Sequence, residues 1–405
     1  MKKGSGIVVG TVKYTCLNAA YFVAFCTLHA YAAVFLLANG FSNTEVGVLL
    51  AVANIVSAVL QPVIAGVIDK PGFLTNKRFI LFSVAVIFAG SLLLMFVQGN
   101  KPCVFIIYAL IYMIQFAYQP VMTALCFEYQ KAGYAIFYGL ARGLGSASFA
   151  FASLFIGGIV ENSGVNVLLW VNMGAMAVSA LIMLTFNKKK DEETEGTSAD
   201  KPSGIAHNSF SSFARTYPAF TVFLIGAICF FFAHNMINDF MIQIIRELGG
   251  NETELGYANF LQAILELPVM ALIAVILKKF TSSGLLVFSG AAFLVKTLIL
   301  LFANNLPLMY VSQSFQLFAY AVFIPAGAYY VSTTMEELDQ VKGQAFITSA
   351  ITIGGVFSNL ISGVILDHSN IKTMLLTGSI VCALGVITAF YAMKALPHHV
   401  TNDTK

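Results

Sequence analysis

"SNTEVG" occupies Ser42–Gly47, and "NETELG" occupies Asn251–Gly256, 209 residues further on. Each string stands at the head of a long apolar run. Each also pairs a capping residue with a glutamate three positions later (Ser42 with Glu45, Asn251 with Glu254), the reciprocal arrangement that opens a helix. Many helices begin this way, so the continuation matters more. "NIVSAVLQPV" from Asn54 resembles "NFLQAILELPV" from Asn259, at an offset of 205. The four-residue slip is about one helical turn and keeps the same face. "GGIVENS" from Gly157 resembles "SGVILDHS" from Ser362, at an offset near 206. The chain restarts itself halfway.

Composition says where such a chain lives. Of 405 residues, 58% are hydrophobic and only 10% are charged, against about 25% charged in a soluble domain. Apolar runs of about 20 residues recur along the whole length, which marks a polytopic membrane protein. Breaks between them give twelve spans, at roughly 11–38, 43–69, 78–97, 103–127, 136–160, 165–186, 216–246, 252–277, 283–303, 307–334, 343–366 and 371–394. The opening "MKKG" before an apolar stretch resembles a signal peptide. That stretch is too long and lacks a small-residue cleavage pattern, so it reads as a retained first span. The six cysteines, with no CxxC pair, read as small packing residues.

The basic residues test the count. With both termini cytoplasmic, 16 lysines and arginines fall on that side, three on the other (Lys101, Arg246, Lys372) and three within spans (Lys13, Arg142, Lys296). One miscounted span would scramble this positive-inside bias. The expected organisation is therefore all-α: twelve transmembrane helices in two pseudo-symmetric six-helix bundles, residues 1–186 and 216–405. Between them lies a polar cytoplasmic linker, 187–215, containing "NKKKDEETEGTSADKPSG". Two parallel halves flanking a midplane site form the plan of a duplicated transporter.

Here a family resemblance enters. "GVIDKPGFLTNKR" after span 2 resembles the signature loop of the major facilitator superfamily, through Asp69, Lys70, Gly72, Lys77 and Arg78. Ala65 stands where the first glycine is usual, and three extra residues precede the closing basic pair. "FYGLARGLGS" in span 5, "GYANFLQAILELP" in span 8 and "FLVKT" in span 9 are similar to the lactose permease and phenylpropionate transporter branch. The resemblance implies the major facilitator fold and a gating role for the loop. It also implies that Arg142 binds solute hydroxyls while Phe149 stacks on a sugar ring. Where the permease carries His and Glu on span 10 for proton coupling, this chain has Gln316 and Ala319. Coupling must then use other groups.

Charged and polar side chains at bilayer depth each need a reason. Arg142, Ser146, Phe149 and Ser153 share one face of span 5; the alternative for Arg142 is a structural pair with Glu128. Gly139, Gly143 and Ala147 form a small-residue set suited to close helix packing. In span 8, Asn259, Gln262 and Glu266 form a polar stripe; span 2 repeats it as Asn54, Ser57 and Gln61, without the charge. Glu266 is thus the leading proton-coupling group, or else half of an ion pair with Lys296 in span 9. "HNMIND" in span 7 adds His234 and Asp239 as relay or outer-gate candidates, with capping or solvated roles as the alternative. Tyr112, Gln115 and Gln119 follow Tyr108 down span 4, and Gln316 and Tyr320 follow Gln313 down span 10. Amides and phenols of this kind suit a polar, uncharged solute. His29 in span 1 is a further binding candidate. Trp170, the single tryptophan, reads as an interfacial anchor.

These features point to a secondary active transporter of a small polar solute, a sugar or oligosaccharide, by proton symport. Alternatives are proton-coupled uptake of a small aromatic or organic acid or a nucleoside, or an efflux carrier. A membrane enzyme is the remotest class: the six histidines show no metal-ligand spacing, and no GxxxxGK[ST] loop is present. Neither a filter-like loop nor a repeated charged ring marks a channel. No cofactor, metal or nucleic acid is expected. The expected partners are the solute, a proton and the lipid bilayer, for a monomer in a bacterial inner membrane.

Overall fold

The computed structural model describes residues 2–68, 74–186 and 210–396. Among the described residues the regular elements are all helical: α1 Lys2–Phe25, a π-helical turn Cys26–Ala30, α2 Ala32–Ala38, α3 Asn43–Ile68, α4 Asn76–Val97, α5 Lys101–Lys131, α6 Tyr138–Ser163 and α7 Asn166–Leu184. There follow α8 Phe210–Thr216, α9 Pro218–Asp239, α10 Met241–Glu247, α11 Glu252–Ile276, α12 Ser282–Leu301, α13 Leu306–Ser314, a 3₁₀ turn Phe315–Leu317, α14 Tyr320–Thr334, α15 Glu337–His368 and α16 Ile371–Ala395. Twelve helical segments among them are long and apolar enough to cross a bilayer. In lipid only such internally hydrogen-bonded segments, or closed barrels, can span.

The burial pattern suits a lipid solvent. Large apolar side chains such as Phe96, Ile106, Leu181 and Ile387 face outward, as does Trp170 on α7. The interior holds small and polar groups, among them Ser83, Ser91, Asn172, Ser179 and Ser289. The expected close-packing set does not serve that purpose: a Cβ at Gly139 or Gly143 would meet nothing within 4 Å. Tight approaches fall elsewhere. A Cβ on Gly157 would lie 2.2 Å from the Glu252 carbonyl oxygen, and one on Gly256 would lie 2.4 Å from that of Ser153. Apolar periodicity marks a span but not which side of it meets protein.

The first capping box forms in full, and in the second the return bond goes to Thr253 instead of Glu254. The Ser42 amide donates to Glu45 Oε2 at 2.7 Å, and the Glu45 amide donates back to Ser42 Oγ at 3.2 Å. The Asn251 amide donates to Glu254 Oε2 at 2.9 Å, and Asn251 Oδ1 accepts from the Thr253 amide at 2.9 Å. The repeat runs deeper than the sequence match. Tyr31 interrupts span 1 at φ −109°, ψ 16°, and Phe240, 209 positions later, interrupts span 7 at φ −115°, ψ 23°. Each break is followed by a seven-residue helix, α2 and α10. Just past each helix stands a positive-φ glycine, Gly40 (79°) or Gly249 (82°), a conformation that glycine adopts without steric cost.

Two compact units emerge, Met1–Gly196 with Gly250–Ala263, and Thr197–Gly249 with Ile264–Lys405. α11 is thus divided between them. In the first unit α1 packs on α6 and α7, and α4 packs on α5 and α7. The opening of α11 is held by Glu161 at the end of α6, which accepts from Asn251 Nδ2 at 2.6 Å and from the Thr253 hydroxyl. In the second unit α9 packs on α15 and α16 around a phenylalanine-rich core that includes Phe220, Phe223, Phe230, Phe293 and Phe323. α8 joins that core through Phe213, so residues 210–215 of the expected linker are helical.

Candidate functional site

Spans 1, 7 and 10 are broken, where the sequence predicts continuous helices. Broken spans at membrane depth leave backbone groups that need other partners. In span 1 the π-helical turn Cys26–Ala30 is held from outside. Asn172 of α7, fully buried, donates Nδ2 to the Ala24 carbonyl at 3.1 Å and to Thr27 Oγ1 at 3.0 Å, and accepts from Ser91 Oγ at 3.1 Å. Thr27 itself donates to the Ala24 carbonyl at 2.8 Å. The Tyr108 hydroxyl donates to the Leu28 carbonyl at 2.7 Å. π-helical turns recur at functional sites, and this one sets the position of His29.

Around His29 the first unit gathers aromatic rings. Phe25 stacks on the imidazole with centroids 4.0 Å apart and planes within 13°. The Tyr112 ring lies at 3.8 Å, and Phe116 approaches edge-on at 4.5 Å. Phe149 stands 6.3 Å from Phe25. The Gln115 side chain, fully buried, lies beside the imidazole. Neither His29 ring nitrogen nor either polar atom of the Gln115 amide makes a well-formed hydrogen bond; their polar neighbours are each other. Arg142 sits further along the same face of α6. It donates to Ser146 Oγ at 2.7 Å and lies 4.4 Å over the Phe22 ring, so its partners are Ser146 and an aromatic face rather than Glu128. Gln119 is half-buried on α5, and Gln262 is buried on the part of α11 that belongs to the first unit.

The second unit gathers the charges. Lys296 of α12, fully buried, donates to Gln316 Oε1 at 2.8 Å, and Gln316 Nε2 donates to Glu266 Oε1 at 2.9 Å. A neutral amide therefore bridges cation and carboxylate. Gln316 lies in the 3₁₀ turn that interrupts span 10, and Ser289 of α12 supports the break by donating to the Ala319 carbonyl at 2.8 Å. The break splits the expected span-10 stripe: Gln313 stays on α13, and Tyr320 opens α14. Tyr320 instead stacks on His234, with centroids 5.4 Å apart and planes within 18°. His234 Nε2 is paired with Asn238 Nδ2 at 2.9 Å. Asp239, at the end of α9, has the buried Asn359 amide beside it.

Of the signature loop, Asp69, Lys70 and Gly72 lie outside the described residues. Lys77 donates to the Phe186 carbonyl at the end of span 6, and the Arg78 amide is capped by Thr75 Oγ1 at 3.3 Å. Sequence reasoning passed over Asn172, Thr27, Phe25 and Phe116. Phe25, one turn before His29, was the legible one; the supports of the π-helical turn come from distant spans and leave no local pattern.

The profile of the MFS_1 like family matches residues 14–377. No curated protein matches the chain in sequence. Among solved structures, a mutant form of the nucleoside transporter NupG is similar at TM-score 0.80 and 13% identity, covering 95% of this chain and 99% of that one. An auto-inhibited peptide transporter of the POT family is similar at 0.75 and 10%, covering 98% of each chain. A bacterial homologue of the human lysosomal transporter Spinster is similar at 0.68 and 11%, covering 96% and 97%. At such identities the likeness shows the fold alone, and the family match carries the assignment: the chain belongs to the MFS_1 like family and is a multi-pass membrane transporter of the major facilitator fold.

Proposed function

We propose that this transporter is a proton symporter of a small polar solute bearing several hydroxyl groups. It works by alternating access of two six-helix halves, 1–186 and 216–405, joined by the cytoplasmic segment 187–215. The observation that carries the coupling is the chain Lys296–Gln316–Glu266, with bonds of 2.8 and 2.9 Å. A carboxylate that shares an amide bridge with a buried ammonium changes the whole network when it takes up a proton. Its bridge residue sits in a broken span, where backbone and side chains have room to rearrange. Protonation at Glu266 thus offers a link between a proton and the packing of α11, α12 and the interrupted span 10. His234 and Asp239 line the same unit as secondary groups.

The solute class rests on the first unit. Arg142 with Ser146 presents donors to hydroxyls, and Phe149 and the His29 rings present apolar faces. A sugar and a nucleoside both combine these features. The positive-inside bias supports cytoplasmic termini, as expected for a bacterial inner membrane. The test is uptake by the purified protein in sealed vesicles. A labelled solute should accumulate above its outside concentration when an inward proton gradient is imposed, and collapsing the gradient should return it to equilibrium. Accumulation indifferent to the gradient would remove the symport claim.

A further inference from the structure

The cluster around His29 has a composition that a generic hydroxyl-binding surface does not need. Phe25, His29, Phe116 and Phe149 are each only partly buried, with the two imidazole nitrogens turned inward. They surround few polar atoms: the two imidazole nitrogens and the Gln115 amide, which lie against each other and make no well-formed hydrogen bond to the rest of the protein. Gln115 is fully buried, and a buried amide left unsatisfied carries a substantial desolvation cost. Were the cluster only packing, a leucine at 115 would fill the same place without that cost. The amide offers one donor group beside one acceptor, and the imidazole adds a donor and an acceptor of its own.

We infer that this cluster is the recognition site for a planar heteroaromatic ring, so that the solute is a nucleoside or a closely similar glycoside of a heteroaromatic base. The inference rests on the proposed transport function and narrows its substrate. A sugar displays hydroxyls around its whole perimeter and needs polar partners in every direction. A heteroaromatic ring has two apolar faces and a polar edge with adjacent donors and acceptors. The cluster matches the second pattern, with rings for the faces and a compact polar pair for the edge. The hydroxyl-bearing part has its own partners nearby: Ser146 and Arg142 lie on the same face of α6 as Phe149, about one and two helical turns away. Phe22, under Arg142, continues the aromatic strip to Phe25, with ring centroids 6.2 Å apart. The π-helical turn that carries the imidazole is held by Asn172 and Tyr108 from other spans, and neither of these bonds uses the ring nitrogens.

The experiment is a binding panel on the purified full-length protein, scored by thermal stabilisation, with uridine, adenosine, ribose and a disaccharide at equal concentrations. At least one nucleoside should stabilise the protein, and ribose and the disaccharide should not. His29→Ala and Gln115→Leu should each weaken nucleoside binding about tenfold or more, as expected when a buried hydrogen bond to the ligand is lost. Should either variant fail to fold, His29→Gln and Phe116→Leu, which alter partly buried positions, are measured in its place with the same expectation. Stabilisation by a sugar but by no nucleoside overturns the inference and leaves the symport reading standing. Nucleoside binding with no response of uptake to a proton gradient does the reverse. Stabilisation by no member of the panel, or unchanged affinity in folded His29 and Gln115 variants, also overturns the inference.

Discussion

Gln316→Leu isolates the amide bridge. The substitution keeps the approximate volume of the side chain and removes both of its bonds, the acceptor for Lys296 at 2.8 Å and the donor to Glu266 at 2.9 Å. Hydrogen bonds to charged groups contribute about 1.5–3 kcal/mol each. Lys296 is fully buried, so the loss on its side falls near the top of that range. Glu266 is half-buried and recovers part of its loss from water. The expected destabilisation is about 3–5 kcal/mol. In a Lys296→Met background the first bond is already gone, and the same change should cost only about 1–2 kcal/mol. The two substitutions should therefore couple by about 2–3 kcal/mol in a double-mutant cycle. Equilibrium unfolding of the purified protein in denaturing detergent measures all four corners. Additivity within about 0.5 kcal/mol would mean that Gln316 does not link the two charges, and the proton pathway drawn through it would fall.

Other perturbations test separate parts of the structure. Asn172→Leu removes the buried donor to Ala24 and Thr27; it should cost about 1–3 kcal/mol and lower the melting temperature, with Thr27→Val a milder version. Gly157→Ala brings a Cβ to 2.2 Å from the Glu252 carbonyl and should destabilise by about 1–3 kcal/mol. Gly143→Ala meets nothing within 4 Å and should leave the melting temperature unchanged or raise it. Arg142→Gln keeps a hydrogen-bonding group but gives up the cation over Phe22; solute affinity measured by competition should fall at least tenfold, a change of about 1.4 kcal/mol.

Much of the fold was legible because the repeat constrains it. Capping residues, basic residues and apolar run lengths are local signals, and together they mark out twelve spans. The correspondence of Tyr31 with Phe240, and of Gly40 with Gly249, was written at the same offset of 209 residues as the capping strings. What stayed hidden depends on contacts between distant spans. The π-helical turn at Cys26–Ala30 relies on Asn172, and the break at Ala319 relies on Ser289. Neither support leaves a pattern in the segment it holds. Glycines were misplaced for a related reason: Gly139 and Gly143 have the right spacing for close packing, but helix contact, not spacing, decides which glycine is needed. The site was legible as residue types on spans. The grouping of Gln316 with Lys296 and Glu266, and the rings gathered at His29, appear only once the helices are packed.

Span 8 carries a carboxylate, Glu266, where its repeat partner span 2 has Gln61. Glu266→Gln makes the two stripes chemically alike while preserving the acceptor for Gln316. In sealed vesicles, this variant should still exchange labelled solute across the membrane at equilibrium but should no longer accumulate it against its gradient when an inward proton gradient is imposed. Full uphill accumulation by folded Glu266→Gln would show that the proton is carried elsewhere, and would contradict the account at its centre.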